Sequence, residues 1–129
     1  MKKKAIIISI KGSDLSTKEK KLIAKEKPWG LILFKRNIKS LSQITKLIKD
    51  IRKLSKDSKF PIMIDEEGGS VTRLSKIINH NLNQKLFGNI YKHNPEISGI
   101  IYKHYINNLT NILNKVGINI NTVPVLDVI

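Results

Sequence analysis

The chain has 129 residues, of which 40% are hydrophobic and 26% charged, proportions that suit one folded domain and exclude both a disordered chain and a second sizeable domain. It has no cysteine, so disulfides, thiolate metal sites and a cysteine nucleophile are excluded. Lys and Arg number 24 against 10 Asp and Glu, a net charge of +14, which raises a polyanion as a partner.

The distribution of that charge argues otherwise. The lysines are scattered over every segment, aromatic residues make up only 5% of the chain, and Ile and Asn, like Lys encoded by AT-rich codons, are abundant. This is a solvated surface, and a nucleic-acid-binding module is disfavoured. Met1 to Lys4 and the apolar run after it imitate the start of a signal peptide, but Lys11 ends the run early and no small-residue cleavage site follows. No stretch approaches the ~20 apolar residues needed to cross a membrane. The expectation is a soluble, cytoplasmic protein with no membrane contact.

The first element, Ala5–Ile10, is a short β-branched run that reads as a strand buried on both faces. Ser16 and Glu19 form a capping-box pattern, which predicts a helix to about Lys25, stopped by Pro28. Gly30–Phe34 is a second apolar run. Ser40 and Gln43 repeat the capping-box pattern, and Ile44, Leu47, Ile48, Ile51 and Leu54 then recur at helical spacing. Phe60–Asp65 reads as a third strand, with Pro61 at its start, where a missing amide does least harm.

Residues 66–95 are polar and too long for a simple turn, which predicts a binding loop with one short helix. From Ile97 the positions Ile100, Ile101, Tyr105, Leu109, Ile112, Leu113 and Val116 keep helical period until Gly117, a natural C-terminal cap. Ile118–Asn121 and Val123–Leu126 supply a fourth strand region leading to Asp127. The alternation is that of an α/β protein with parallel pairing, either a small doubly wound sheet or half of a (β/α)8 barrel. A whole barrel takes roughly 250 residues.

Three segments carry a resemblance. They are Gly30-Leu31-Ile32-Leu33-Phe34-Lys35-Arg36-Asn37, Ile64-Asp65-Glu66-Glu67-Gly68-Gly69-Ser70-Val71-Thr72-Arg73-Leu74, and Gly117 to Val128 with Pro124 and Asp127. Together, at this spacing, they resemble glycoside hydrolase family 3, most of all the bacterial β-N-acetylhexosaminidases that recycle peptidoglycan fragments. The resemblance implies the N-terminal half of a (β/α)8 TIM-barrel-like domain over residues 1–129. It also implies retaining hydrolysis of terminal β-linked N-acetylglucosamine without a metal or other cofactor. By the same match, Asp65 accepts hydrogen bonds from sugar hydroxyls and Arg73 stands near the same sugar.

Physical chemistry agrees with those two roles. Asp65 ends a strand on the side where parallel barrels place their sites, and an ionised carboxylate is a strong acceptor for two hydroxyls. Gly68 and Gly69 let the backbone turn tightly. Other readings compete: Arg73 pairing with Glu67 to hold the loop, and Arg36, Asn37 and Asp127 as loop-ordering groups. His104 falls on the apolar stripe of the third helix and reads as a packed side chain. His80 and His93 lie in polar segments without a partner at metal-ligand spacing, so no zinc site is expected.

The sequence departs from the family pattern at Glu66, where Gln is commoner, at Ser70, where Arg is usual, and at Leu82-Asn83 in place of Leu-Pro. The Lys-His-rich segment, the loop with the His-Asp proton donor and the Asp nucleophile of the family have no counterpart before Ile129. The expectation is therefore a truncated chain with sugar contacts and no catalytic residues. Asp65 and Glu66, adjacent on a strand, point to opposite faces and cannot form a catalytic pair. One alternative is a half barrel that pairs with itself or with a separately encoded second half to cover its sheet edges.

Overall fold

The structure, a computed structural model, describes residues 3–78 and 82–124. Among the described residues four strands, β1 (Lys4–Ile8), β2 (Pro28–Leu33), β3 (Ile62–Ile64) and β4 (Ile120–Asn121), form one sheet in chain order. Every neighbouring pair is parallel. The helices α1 (Thr17–Glu26), α2 (Leu41–Ser55), α3 (Gln84–His93) and α4 (Pro95–Val116) fill the connections, with a short 3-10 turn at Lys35–Asn37.

Helix α1 starts as its sequence predicts. The Ser16 hydroxyl accepts the Glu19 amide, and the Glu19 carboxylate accepts the Ser16 amide at 2.8 Å and the Lys11 amide at 2.9 Å. It ends at Glu26 with Lys27 in the left-handed conformation, directly before Pro28, which opens β2. The second capping box is only half formed. Ser40 caps the Gln43 amide, whereas the Gln43 side chain accepts from Lys39 and donates to the carbonyls of Ser13 and Asn37. It ties the loop after β1 to the loop after β2.

Ile44, Leu47, Ile48 and Ile51 of α2 are buried against Leu31, Leu33, Ile62 and Ile64 of the sheet. Each such side chain taken fully from water contributes about 1.5–3 kcal/mol. Arg52 of α2 donates to the Gly117 carbonyl at 2.7 Å and fastens the C-terminal end of α4. Gly117 has φ 95°, and an added Cβ would lie 2.8 Å from the Arg52 guanidinium.

Two expectations fail at the rims of the sheet. Strand β1 is not buried on both faces: it is an edge strand whose Ile6 and Ile7 remain 51% and 44% exposed. Among the described residues the fourth strand covers Ile120–Asn121, and Val123 and Pro124 are not strand; residues 125–129, Asp127 among them, lie outside the described residues. Pro61 precedes β3 and contributes its carbonyl, which accepts the Leu31 amide at 3.0 Å.

The register places Ile32, Met63 and Ile120 in one row. All three are half-buried, on the face away from the core. In a closed barrel such a row points inward. Helix α4 is likewise uncovered toward its start, where Ile97, Ile100 and Ile101 are exposed. No described helix is long and apolar enough to cross a membrane.

An apolar edge and face of this kind favour association. Purified residues 1–129 are expected to sediment as dimers or larger species, and the Ile6→Lys/Ile7→Lys variant to shift toward monomer. A cooperative monomer at micromolar concentration would show that water tolerates the open edge.

Candidate functional site

The strand alternation of β3 continues past its end. Ile62 and Ile64 enter the core, Met63 lies on the open face, and the next two residues obey the same rule. Asp65 emerges half-buried on the open side, and Glu66 turns inward to 1% exposure. The two carboxylates thus meet different surroundings although they are adjacent in sequence.

Both Asp65 oxygens are engaged. Oδ2 receives Arg73 Nη2 at 2.8 Å, and Oδ1 lies 3.2 Å from the Thr122 hydroxyl. Asp65 and Arg73 keep about a quarter of their side-chain surface, 26% and 24%. They therefore form a fixed, water-accessible ion pair at the C-terminal end of the sheet. Arg73 thus pairs with Asp65.

Glu66 Oε2 accepts the backbone amides of Arg73 at 2.7 Å and Leu74 at 2.8 Å. A buried carboxylate is tolerable only when donors compensate the loss of water, and these two amides supply that compensation. Its backbone is clamped by Asn121, whose Oδ1 accepts the Glu66 amide at 3.0 Å and whose Nδ2 donates to the Glu66 carbonyl at 3.3 Å. Burial first, then the Glu66 charge and Tyr102, push the Tyr105 hydroxyl above its ordinary pKa.

The turn after Glu67 depends on its glycines. Gly68 and Gly69 have φ 83° and 61°, and the chain is closed by the Glu67 amide on the Val71 carbonyl at 3.0 Å. Beside it, Phe34 at the end of β2 packs under the Arg36 guanidinium at 4.6 Å and the Arg73 guanidinium at 5.8 Å. Arg36 also donates to the Ile10 carbonyl and the Ser9 hydroxyl. Asn37, fully buried, accepts the Phe34 amide and donates to the carbonyls of Ile10 and Gly12. These contacts are to the chain itself, and they order the loops that flank Asp65.

His104 is exposed, not packed, and His93 is exposed as well; His80 lies outside the described residues. Among the described residues no group of three or more His, Asp or Glu side chains is placed to hold a metal ion. Two clefts of about 380 and 360 Å³ lie along α3 and α4, lined by Phe87, Tyr91 and Tyr102 and by Ile78, Ile101 and Tyr105, and Asp65 borders neither. Sequence reasoning does not single out Thr122, Asn121 or the buried role of Glu66. The Asn119-x-Asn121 spacing is the available signal, since residues two apart on a strand share a face.

The sequence profile of the Glycosyl hydrolase family 3 N terminal domain matches residues 2–129. A β-hexosaminidase of Haemophilus ducreyi is 39% identical over 92 residues, 70% of this chain and 26% of that protein. One from Xanthomonas euvesicatoria pv. vesicatoria is 26% identical over 122 residues, 95% of this chain and 36% of that protein. The crystal structure of NagZ from Neisseria gonorrhoeae in complex with N-trifluoroacetyl-D-glucosamine superposes with a TM-score of 0.85 at 25% identity, covering 97% of this chain and 37% of that one. The chain thus spans between about a quarter and two fifths of the length of these proteins.

The glycine turn yields a paired stability test. A Cβ at Gly68 would stand 2.0 Å from the Leu82 carbonyl oxygen, in a backbone conformation that disfavours side chains. Gly68→Ala is expected to cost about 2 kcal/mol or more. Gly88 lies inside α3, where an added Cβ would meet nothing within 4 Å, so Gly88→Ala is expected to gain about 0.5–1 kcal/mol. Urea denaturation of the two variants against the parent measures both signs.

Proposed function

The chain belongs to glycosyl hydrolase family 3, and from that membership we propose that residues 1–129 are the saccharide-recognition part of a β-N-acetylhexosaminidase barrel. The substrate is a saccharide ending in β-linked N-acetylglucosamine, of the kind released in peptidoglycan recycling, and the place of action is the cytoplasm. The observation that carries the reading is the Asp65 carboxylate, held at the C-terminal end of β3 by Arg73 and Thr122. The N-acetylglucosamine analogue bound by the Neisseria protein supports the sugar class.

In this reading Asp65 accepts two hydroxyls of the terminal sugar. The Arg73 guanidinium and the Thr122 hydroxyl keep the carboxylate aimed, so little ordering remains to be done when the sugar arrives. Arg73 has further donors for a sugar oxygen. Arg36, Asn37 and the Gly68-Gly69 turn shape the rim, as does Glu67, and Asp127 is assigned to the same rim by resemblance alone.

Cleavage with retention needs two carboxyl groups, or equivalents, about 5–5.5 Å apart across the scissile bond. Among the described residues most of the acids are otherwise committed. Glu66 is buried, Glu19 caps α1, and Glu26, Asp50 and Asp57 pair with Lys4, Lys46 and Lys3. We therefore assign nucleophile and proton donor to the portion of the relatives that the present match does not reach.

Purified residues 1–129 are expected to release no nitrophenol from the aryl β-N-acetylglucosaminide. Mixed with a fragment bearing the rest of a homologous barrel, they are expected to regain activity. Asp65→Ala should then lower kcat/KM about a hundredfold through lost charged hydrogen bonds to the sugar. Turnover by residues 1–129 alone, lost on Asp65→Ala or Glu67→Ala, would overturn the reading and make the acidic turn itself catalytic.

A further inference from the structure

The stretch from Glu66 to Leu74 leaves β3, turns at Gly68 and Gly69, and returns to the core at Leu74, which is 1% exposed. Arg73, the residue before that anchor, carries the guanidinium that meets Asp65. Its backbone amide and that of Leu74 both end on one oxygen, Glu66 Oε2. The Glu66 backbone in turn is pinned by the Asn121 side chain.

We propose that Glu66 is the positioning residue of the site: its buried carboxylate fixes the returning strand of the loop, and thereby sets the Arg73 guanidinium against Asp65. The inference rests on the sugar-recognition reading for its purpose, though not for its geometry. Glu66 is adjacent to Asp65 yet faces the opposite way, so it acts on the pair through the backbone of the loop. A glutamine at this position would retain one amide-accepting oxygen. A side chain with no strong acceptor would leave two buried amides without compensation and release the loop.

Limited trypsin digestion of residues 1–129 tests this, because Arg73 is itself a cleavage point and Lys56 and Lys59 serve as controls elsewhere in the same molecule. Glu66→Met, similar in length and apolar, is expected to speed cleavage after Arg73 about tenfold or more through local opening. Cleavage after Lys56 and Lys59 should stay unchanged, and Glu66→Gln should remain within about threefold of the parent. If Glu66→Met does not fold, Glu66→Asp, whose carboxylate is one methylene short, decides in its place with the same expectation. No acceleration at Arg73, equal acceleration at all three sites, a glutamine variant as labile as the methionine one, or loss of folding in both Met and Asp variants would overturn the proposal. Addition of N-acetylglucosamine is expected to slow Arg73 cleavage in the parent and Glu66→Gln chains only. Absence of that protection in the parent would sink the sugar reading, while the rates without sugar still decide the role of Glu66.

Discussion

Strand β3 is three residues long and has both of its edges occupied, by β2 and by β4. It therefore has no freedom of register: Ile62 and Ile64 must enter the core and Met63 the other face. Every feature of the site follows from carrying that alternation two residues further. Asp65 inherits the side of Met63 and becomes the accessible carboxylate. Glu66 inherits the side of Ile64 and must be buried, where an acid persists only if the fold brings it donors. The loop that supplies those donors is the one that delivers Arg73 to Asp65. Burial of one acid and orientation of the other are a single constraint.

Much of this is legible in the amino-acid order alone. The apolar positions of α2 recur with helical spacing, and Ile44, Leu47, Ile48 and Ile51 are buried as expected in one core with the sheet, while Leu54 at the end of the helix is half-buried. The parallel sheet, the acid-glycine-glycine turn and the site end of β3 can all be read as well. Misreadings arise where a pattern depends on what covers it. The Ala5–Ile10 run has the composition of a central strand, yet composition says nothing about a missing neighbour, and β1 lies at the edge. The apolar stripe of α4 is real, but only Leu109, Leu113 and Val116 near its end are buried in the main core, so Ile100 and His104 remain in water. The capping pattern at Gln43 fails because a long amide side chain finds better acceptors in neighbouring loops. Glu66 is legible only as a departure from a family pattern, since sequence spacing does not reveal which amides a loop will return.

Asp65 is aimed by two donors, but it opens onto a sheet face whose row of Ile32, Met63 and Ile120 is only half covered. On the proposed sugar-binding reading, water on that side screens the attraction between the carboxylate and a sugar hydroxyl, and the same contact gains strength where the face is closed. In that reading, holding the sugar and excluding water make different structural demands. The donors to Asp65 come from the segments that follow β3 and β4, whereas exclusion of water requires cover on the open face of the sheet.

Asn121 gives and takes one hydrogen bond at the same residue, with its amide oxygen on the Glu66 N–H and its amide nitrogen on the Glu66 carbonyl. Asn119 makes a similar contact one pleat earlier, its oxygen accepting the Ile62 amide at 2.7 Å. In effect two side chains imitate the backbone of a further strand, so a strand of two residues holds its neighbour over a longer distance than its own ladder reaches. Aspartate has the same shape as asparagine but not the same donor and acceptor. Aspartate offers two acceptors and would set one of them against a carbonyl oxygen, and leucine offers neither partner. Mutational drift in this asparagine-rich chain is thus asymmetric: an asparagine gained at the solvated surface costs little, whereas an asparagine lost at this one position removes both hydrogen bonds that tie β4 to Glu66.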